Sequence, residues 1–146
     1  VGVESTIVAL TGEPTLLRPG GLAREEIERV LGRALAAPGL SDDEETPIAP
    51  GMLASHYAPQ ARLRLNADAP RTGEALLAFG PAPAYTGTMF NLSPGGDLIE
   101  AATNLFSHLR ALDASGAKAV AVMPVPHEGL GEAINDRLKR AAAPKP

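Results

Sequence analysis

The sequence predicts an α/β protein: a small three- or two-layer domain with a partly parallel sheet, preceded by a long linker and by a β-hairpin followed by a helix. Three observations carry this. From residue 61 onwards, short apolar runs alternate with helical stripes, the pattern of helices laid on a sheet. Residues 36–60 show no apolar period and are broken by Pro38, Pro47, Pro50 and Pro59; a structureless stretch this long is uncommon inside one compact domain. Ahead of it lie two short β-type runs and one helical run. The expected units are therefore 1–35, a linker 36–60, and an α/β domain 61–146.

Each element has a local reason. Val3 to Leu10 is rich in β-branched residues and ends at the turn signal Thr11-Gly12-Glu13-Pro14, so it predicts a strand. Thr15 to Arg18 predicts its hairpin partner, stopped by Pro19-Gly20-Gly21. Arg24 to Leu31 predicts a helix: Ile27, Val30 and Leu31 share one face, Glu25 and Glu26 occupy the first turn, and Gly32 ends it. In the linker, Asp42-Asp43-Glu44-Glu45 is a solvated acidic patch.

Beyond the linker, Arg62–Leu65, Ala75–Phe79 and Met89–Leu92 predict strands. Asp97–Asp113 predicts the clearest helix. Leu98, Ala102, Leu105, Leu109 and Leu112 form its stripe, Asp97 with Glu100 resembles a capping box, and Gly116 follows as a stop. The apolar run Ala119–Met123 fits a strand buried on both faces. Leu130, Ile134, Leu138 and Ala141 mark a last helix, with Lys139 and Arg140 near its negative end. The connections Asn66–Gly73 and Gly80–Thr88 are too short for a crossover helix, which predicts an antiparallel or irregular edge for the early strands.

Composition narrows the function. Hydrophobic residues are 45% of the 146, enough for a core, but aromatics are 3%, so Leu, Ile, Val and Ala must fill it. The net charge is −4, from 13 basic and 17 acidic residues. With no basic patch interleaved with aromatics, direct nucleic-acid binding is not expected. Cysteine is absent, which excludes disulfides and thiolate metal sites and fits a reducing cytoplasm. No apolar run approaches the roughly 18–20 residues of a membrane span. The chain starts at Val1, which predicts a processed or partial product.

Several residues could carry chemistry, and each has a plainer reading. Ser5-Thr6 could donate to phosphate oxygens, or could be ordinary strand residues. Arg18-Pro19-Gly20-Gly21 sets a planar cationic fork beside a loop of little bulk, suited to an anion, or forms a turn with a surface arginine. His56-Tyr57 could close over a ligand, or anchor the linker. His127-Glu128 and Gly129-Leu130-Gly131 follow a strand and open a helix, where open α/β sheets often place ligands, or form a structural helix entry; they lack both a metal-binding and a full dinucleotide pattern, which favours the latter. Ser93-Pro94-Gly95-Gly96-Asp97 could hold an anion at the helix amino end, or simply cap the helix, and capping is the plainer reading.

The set of motifs resembles a known family. Val3-Glu4-Ser5-Thr6-Ile7-Val8 with Leu17-Arg18-Pro19-Gly20-Gly21 is similar to the end of a YrdC-type domain. Ala49-Pro50-Gly51-Met52 with Ser55-His56-Tyr57-Ala58-Pro59 is similar to that family's linker. Asn91-Leu92-Ser93 and Gly129 to Leu138 resemble its C-terminal, Rossmann-like domain. The family is the two-domain L-threonylcarbamoyladenylate synthase, and the resemblance spans nearly the whole chain in order. It implies that L-threonine, bicarbonate and ATP, with Mg²⁺, give threonylcarbamoyl-AMP and pyrophosphate for tRNA modification, with threonylcarbamoyl-transferase proteins as downstream partners. It implies that Ser5 and Arg18 hold nucleotide phosphates and that His56 and Tyr57 fold over the cleft.

The chain also departs from the family. The upstream Lys-x-Arg and Ser-x-Asn motifs are missing, the first lysine is Lys118, Ala9 stands where an Asp is usual, and the stretch between Leu65 and Ala75 is short. The expectation is a C-terminal portion, inactive alone, with no catalytic residue, metal site or tightly bound cofactor of its own. A non-catalytic regulatory or protein-interaction module working with a separate catalytic chain is the alternative. Deprived of sheet partners, Val3, Ile7 and Val8 should expose apolar strand edges.

Overall fold

The computed structural model describes residues 3–37 and 60–143. Two sheets are present among them. A two-stranded antiparallel sheet joins β1 (Ile7–Ala9) to β2 (Thr15–Arg18) and leads into α1 (Arg24–Leu31). A four-stranded sheet is formed by β3 (Arg62–Arg64), β4 (Ala75–Ala78), β5 (Met89–Asn91) and β6 (Ala119–Val122), in the order β3-β6-β4-β5. Helix α2 (Leu98–Ala114) connects β5 to β6, and α3 (Leu130–Ala142) follows β6.

The first strand is shorter than its β-branched composition predicts. The backbone before it has other partners: the Gly21 amide donates to the Glu4 carbonyl at 2.9 Å, and the Leu22 amide donates to Thr6 Oγ1 at 3.1 Å. The Ser5 carbonyl is occupied by a side chain, as described below. A register shift between Ile7 and Val8 marks where ladder pairing takes over. On the far edge of β2, the Leu16 amide donates to the Ala36 carbonyl at 2.9 Å, so Ala36 still belongs to the hairpin's surroundings.

Every pairing in the larger sheet is parallel. This corrects the antiparallel or irregular edge expected from short connections. The residues between β4 and β5 form no helix. They cross the sheet's second face instead, packing Ala82 and Tyr85 over Leu76 and Ala78, and the Tyr85 hydroxyl donates to the Glu74 carbonyl. Gly80, at φ 73°, makes the turn out of β4, and its amide donates to the Ser93 carbonyl at 2.7 Å.

The two sheet faces are covered differently. Leu77, Val120 and Val122 share a core with Leu105, Leu109 and Leu112 of α2 and with Ile134 and Leu138 of α3. Leu76, Ala78 and Ala121 form a smaller cluster on the other face with Ala67, Tyr85 and Met123. Among the described residues the domain is thus two-layered, with loops in place of a second helical layer. Each fully buried Leu or Val contributes roughly 1.5–3 kcal/mol through removal of apolar surface from water.

The capping of α2 departs from a reciprocal box. Asp97 caps as expected, accepting from the Ile99 amide at 2.9 Å. Glu100, however, accepts from the buried Ser93 hydroxyl at 2.5 Å, and Ser93 Oγ accepts from the Asp97 amide at 2.8 Å. At the start of α3, Gly131 lies against Pro126: a Cβ there would stand 1.7 Å from the Pro126 carbonyl oxygen. The glycines of this segment therefore serve helix entry.

Val3 is 9% exposed and belongs to the core shared by the sheet, α2 and α3. This overturns its expected exposure, while Ile7 and Val8 are half-buried. Apolar exposure falls instead on Leu10, Leu22, Val30 and Leu31. Helix α1 buries none of its residues.

Candidate functional site

Ser5 and Arg18, predicted as phosphate-holding residues, are brought together by the hairpin. Arg18 is 6% exposed. Its Nε and Nη2 donate to the Ser5 carbonyl at 3.1 and 2.8 Å, and its Nη1 lies 3.9 Å from Glu4 Oε2. The fork thus holds backbone at the end of β2, just before the chain turns at Pro19-Gly20-Gly21. Ser5 is exposed and lines an open groove of about 590 Å³ with Thr6, Val8, Leu22 and Ile27. Gly20 makes this approach sterically feasible: a Cβ on it would sit 2.2 Å from the Glu4 carbonyl oxygen and 2.4 Å from Ser5 C. His56 and Tyr57 lie outside the described residues.

A second concavity, of about 460 Å³, lies between the hairpin and α3 at the carboxyl ends of β3 and β6. Leu17 closes one side. Leu65, Asn66 and Met123 form the strand-end floor, and His127 and Lys139 line the α3 side. Open parallel sheets commonly place ligands at this end. Asn66 takes a left-handed φ of 57° there.

Polar pins fix the hairpin segment to the α/β unit. Arg24 donates to both carboxylate oxygens of Glu132, Nε at 3.2 and 3.1 Å and Nη2 at 2.9 Å, and its Nη1 donates to the Leu35 carbonyl at 3.2 Å. The hydrogen bond with Glu132 raises the Arg24 pKa. The Gly129 amide donates to Glu25 at 3.2 Å; amide donation, first from its own backbone and then from Gly129, holds the Glu25 carboxyl below its usual range.

A deeper pin is Arg137, 1% exposed. Its Nη1 donates to the Pro19 carbonyl at 2.6 Å and to Asp136 at 2.9 Å, and its Nε donates to Glu4 at 3.3 Å. Sequence reasoning overlooked Arg137, although a signal was present: it sits among Ile134, Leu138 and Ala141 on the apolar stripe of α3, where a charge must find partners or be excluded. No group of three or more His, Cys, Asp or Glu side chains that could hold a metal occurs among the described residues. None of their helices is long and apolar enough to cross a membrane.

Fold and cleft together define a Rossmann-like α/β unit carrying a hairpin–helix segment across its strand ends. A family model described as "Threonylcarbamoyl-AMP synthase, C-terminal domain" matches residues 22–143, and the chain belongs to that family. Relatives bearing the name threonylcarbamoyl-AMP synthase include one from Bacillus subtilis (strain 168), 33% identical over 97% of this chain and 46% of its own length. Another, from Pyrococcus abyssi, is 35% identical over the same shares. A third, from Schizosaccharomyces pombe, is 35% identical over 98% of this chain and 43% of its own.

Among solved structures, P. abyssi Sua5 complexed with L-threonine superposes with a TM-score of 0.81 at 34% identity, covering 97% of this chain and 46% of that one. A variant of the same protein, with an adjacent histidine and tyrosine replaced by alanine, gives 0.79. The chain spans about half the length of the curated relatives it matches.

Proposed function

We propose that this chain is the C-terminal portion of a threonylcarbamoyl-AMP synthase. The observation that carries the reading is collinear similarity to synthases over 97% of the chain, against 46% of their length. The division proposed is the end of a catalytic domain at 1–35, a linker at 36–60 and the Rossmann-like domain at 61–146. The complete enzyme would condense L-threonine and bicarbonate to a carbamate with loss of water, and a carbamate oxygen would attack the α-phosphorus of ATP, breaking its bond to the bridging oxygen and releasing pyrophosphate. Downstream transferases would carry the threonylcarbamoyl group to tRNA. Threonine as substrate is supported by the P. abyssi relative, whose structure contains it.

Ser5 would donate to nucleotide phosphates, and Arg18 would supply positive charge from behind the turn. Donors and charge fixed before the reaction stabilise negative charge developing at phosphorus with little reorganisation. His56-Tyr57 is the only adjacent His-Tyr pair in the sequence, and such a pair was the one replaced in the P. abyssi variant. It would close over the nucleotide and shield the labile carbamate from water. Mg²⁺ would enter with the phosphates of ATP. The exposed Leu10, Leu22, Val30 and Leu31 would be covered by the remainder of the catalytic domain.

The test is pyrophosphate release from ATP in the presence of threonine and bicarbonate. The complete protein should be active, and this chain alone should show only background. Replacing His56 and Tyr57 by alanine in the complete protein should slow release. Full activity from this chain alone would refute the reading.

A further inference from the structure

We infer that Arg137 is a positioning residue for the nucleotide end of the cleft, acting from the Rossmann-like domain on the hairpin. This rests on the proposed roles of Ser5 and Arg18. The connections are continuous. Arg137 donates through Nη1 to the carbonyl of Pro19, the residue after Arg18, at 2.6 Å, and through Nε to Glu4, the residue before Ser5, at 3.3 Å. Glu4 in turn faces Arg18 at 3.9 Å, and Arg18 holds the Ser5 carbonyl. One guanidinium on α3 therefore grips the segment before β1 and the segment after β2, at the open end of the hairpin where Ser5 and Arg18 sit.

The chemistry favours positioning over direct ligand contact. Arg137 is 1% exposed and lines neither concavity. Its Nη2 is buried with no hydrogen-bond partner among the described residues, so the side chain is held by its other two nitrogens. Asp136, shared with Arg140 at 3.1 Å, anchors the guanidinium from its own helix. The planar fork matters because two acceptors, Pro19 O and Glu4 Oε1, belong to chain segments 15 residues apart, one before β1 and one after β2, and must be met at once. A lysine has one nitrogen with which to serve both.

The test uses Arg137→Met and Arg137→Lys, with two readouts. The first is amide hydrogen exchange of Gly21 and Leu22, whose bonds to Glu4 and Thr6 report the turn directly. Arg137→Met should speed both by about tenfold or more while leaving the amides of α2 unchanged, since only the turn's local opening is affected. Arg137→Lys should fall between. The second readout is kinetic, in the complete enzyme: KM for ATP should rise about tenfold, because misplaced binding groups lose affinity and alignment. KM for threonine should move less.

Should Arg137→Met fail to fold, Glu4→Gln weakens the same link from the more exposed hairpin side, and the same two amides should exchange faster. Unchanged exchange of Gly21 and Leu22 in these variants overturns the inference. Faster exchange with an unaltered KM for ATP upholds Arg137 as the determinant of the turn and overturns the nucleotide role proposed for Ser5 and Arg18.

Discussion

Removing the Arg24–Glu132 link should measurably loosen the hairpin segment from the α/β unit. The partners are 108 residues apart in sequence, so the bond acts between elements and not within one. Arg24 reaches both carboxylate oxygens, at 3.1 and 3.2 Å from Nε and 2.9 Å from Nη2, and the two side chains are 30% and 26% exposed. Fully exposed pairs contribute about 0.2–1 kcal/mol, and charge-assisted hydrogen bonds about twice a neutral one, so a coupling of about 1–2 kcal/mol is expected at this partial burial.

Loss of Glu132 does not strand the arginine, because Arg24 still faces Glu28 at 3.6 Å and donates to the Leu35 carbonyl. Glu132→Gln should therefore cost no more than the coupling itself, whereas Arg24→Met also loses the bond to Leu35 and the contact with Glu28, which the cycle subtracts. The assay is urea unfolding of the parent chain, Arg24→Met, Glu132→Gln and the double variant, read as a double-mutant cycle. Added salt should weaken the coupling only in part, since the pair is half shielded. A coupling below about 0.3 kcal/mol would refute the reasoning, for it would make the bidentate geometry energetically equivalent to a solvated surface pair.

Further outcomes follow from the same geometry. Glu74 is held at a pKa of about 2, chiefly by hydrogen bonding from Arg64, against an ordinary 4.5. A lowered folded-state pKa gives stability that is present above pH 4.5 and lost as pH falls towards 2. With Arg64 30% exposed, the screened contribution is about 1 kcal/mol, so Glu74→Gln should remove that much of the pH dependence across the window, read by urea midpoints from pH 6 to 2.5; an identical slope would count against it. Gly20→Ala should destabilise the hairpin by about 1–3 kcal/mol, because its Cβ would meet backbone of Glu4 and Ser5 at 2.2 and 2.4 Å and no side chain can yield there. Thermal unfolding at wild-type temperature would refute that. Leu105→Ala, at a fully buried position between α2 and the sheet, should cost about 2–5 kcal/mol in chemical denaturation.

Local period made much of the fold legible, and long-range pairing hid the rest. The stripe from Leu98 to Leu112 located α2 because its spacing and its cap are written in neighbouring residues. The run Ala119–Met123 reads as buried on both faces, and it is: Val120 and Val122 of β6 pack in the main core while Ala121 packs in the cluster on the opposite face. Strand direction was misjudged because loop length was treated as decisive. The loop after β4 performs the crossover without a helix, with Tyr85 and Ala82 covering the face a helix would otherwise cover. Strand β1 was overextended because β-branched composition cannot show that the Ser5 carbonyl is claimed by an arginine 13 residues away. At the candidate site, residue type and loop chemistry marked Ser5 and Arg18 only as candidates, and what the structure adds is that the Arg18 fork holds the Ser5 carbonyl. Arg137 was missed because its partners, Glu4 and Pro19, lie 133 and 118 residues distant, beyond the reach of any local pattern.

The attachment of the hairpin segment has a consequence for how the two parts of the chain work together. Helix α1 buries none of its side chains, so apolar packing of that helix contributes little to holding the segment. Val3 enters the core, and Leu16 and Leu35 are also buried; beside this apolar burial stand directional links: Arg24 to Glu132, Gly129 to Glu25, and Arg137 to Glu4 and Pro19. Apolar contacts tolerate sliding, whereas hydrogen bonds of fixed length and angle do not. Such links add modest net stability but specify one relative placement, because any other leaves buried charge unpaired. The directional links to the Rossmann-like domain therefore supply the hairpin with register in addition to the stability of its apolar burial. Under the proposed function, the free apolar side of α1 and β1 is left for the rest of the catalytic domain, while α3 fixes from behind where the Ser5–Arg18 turn stands.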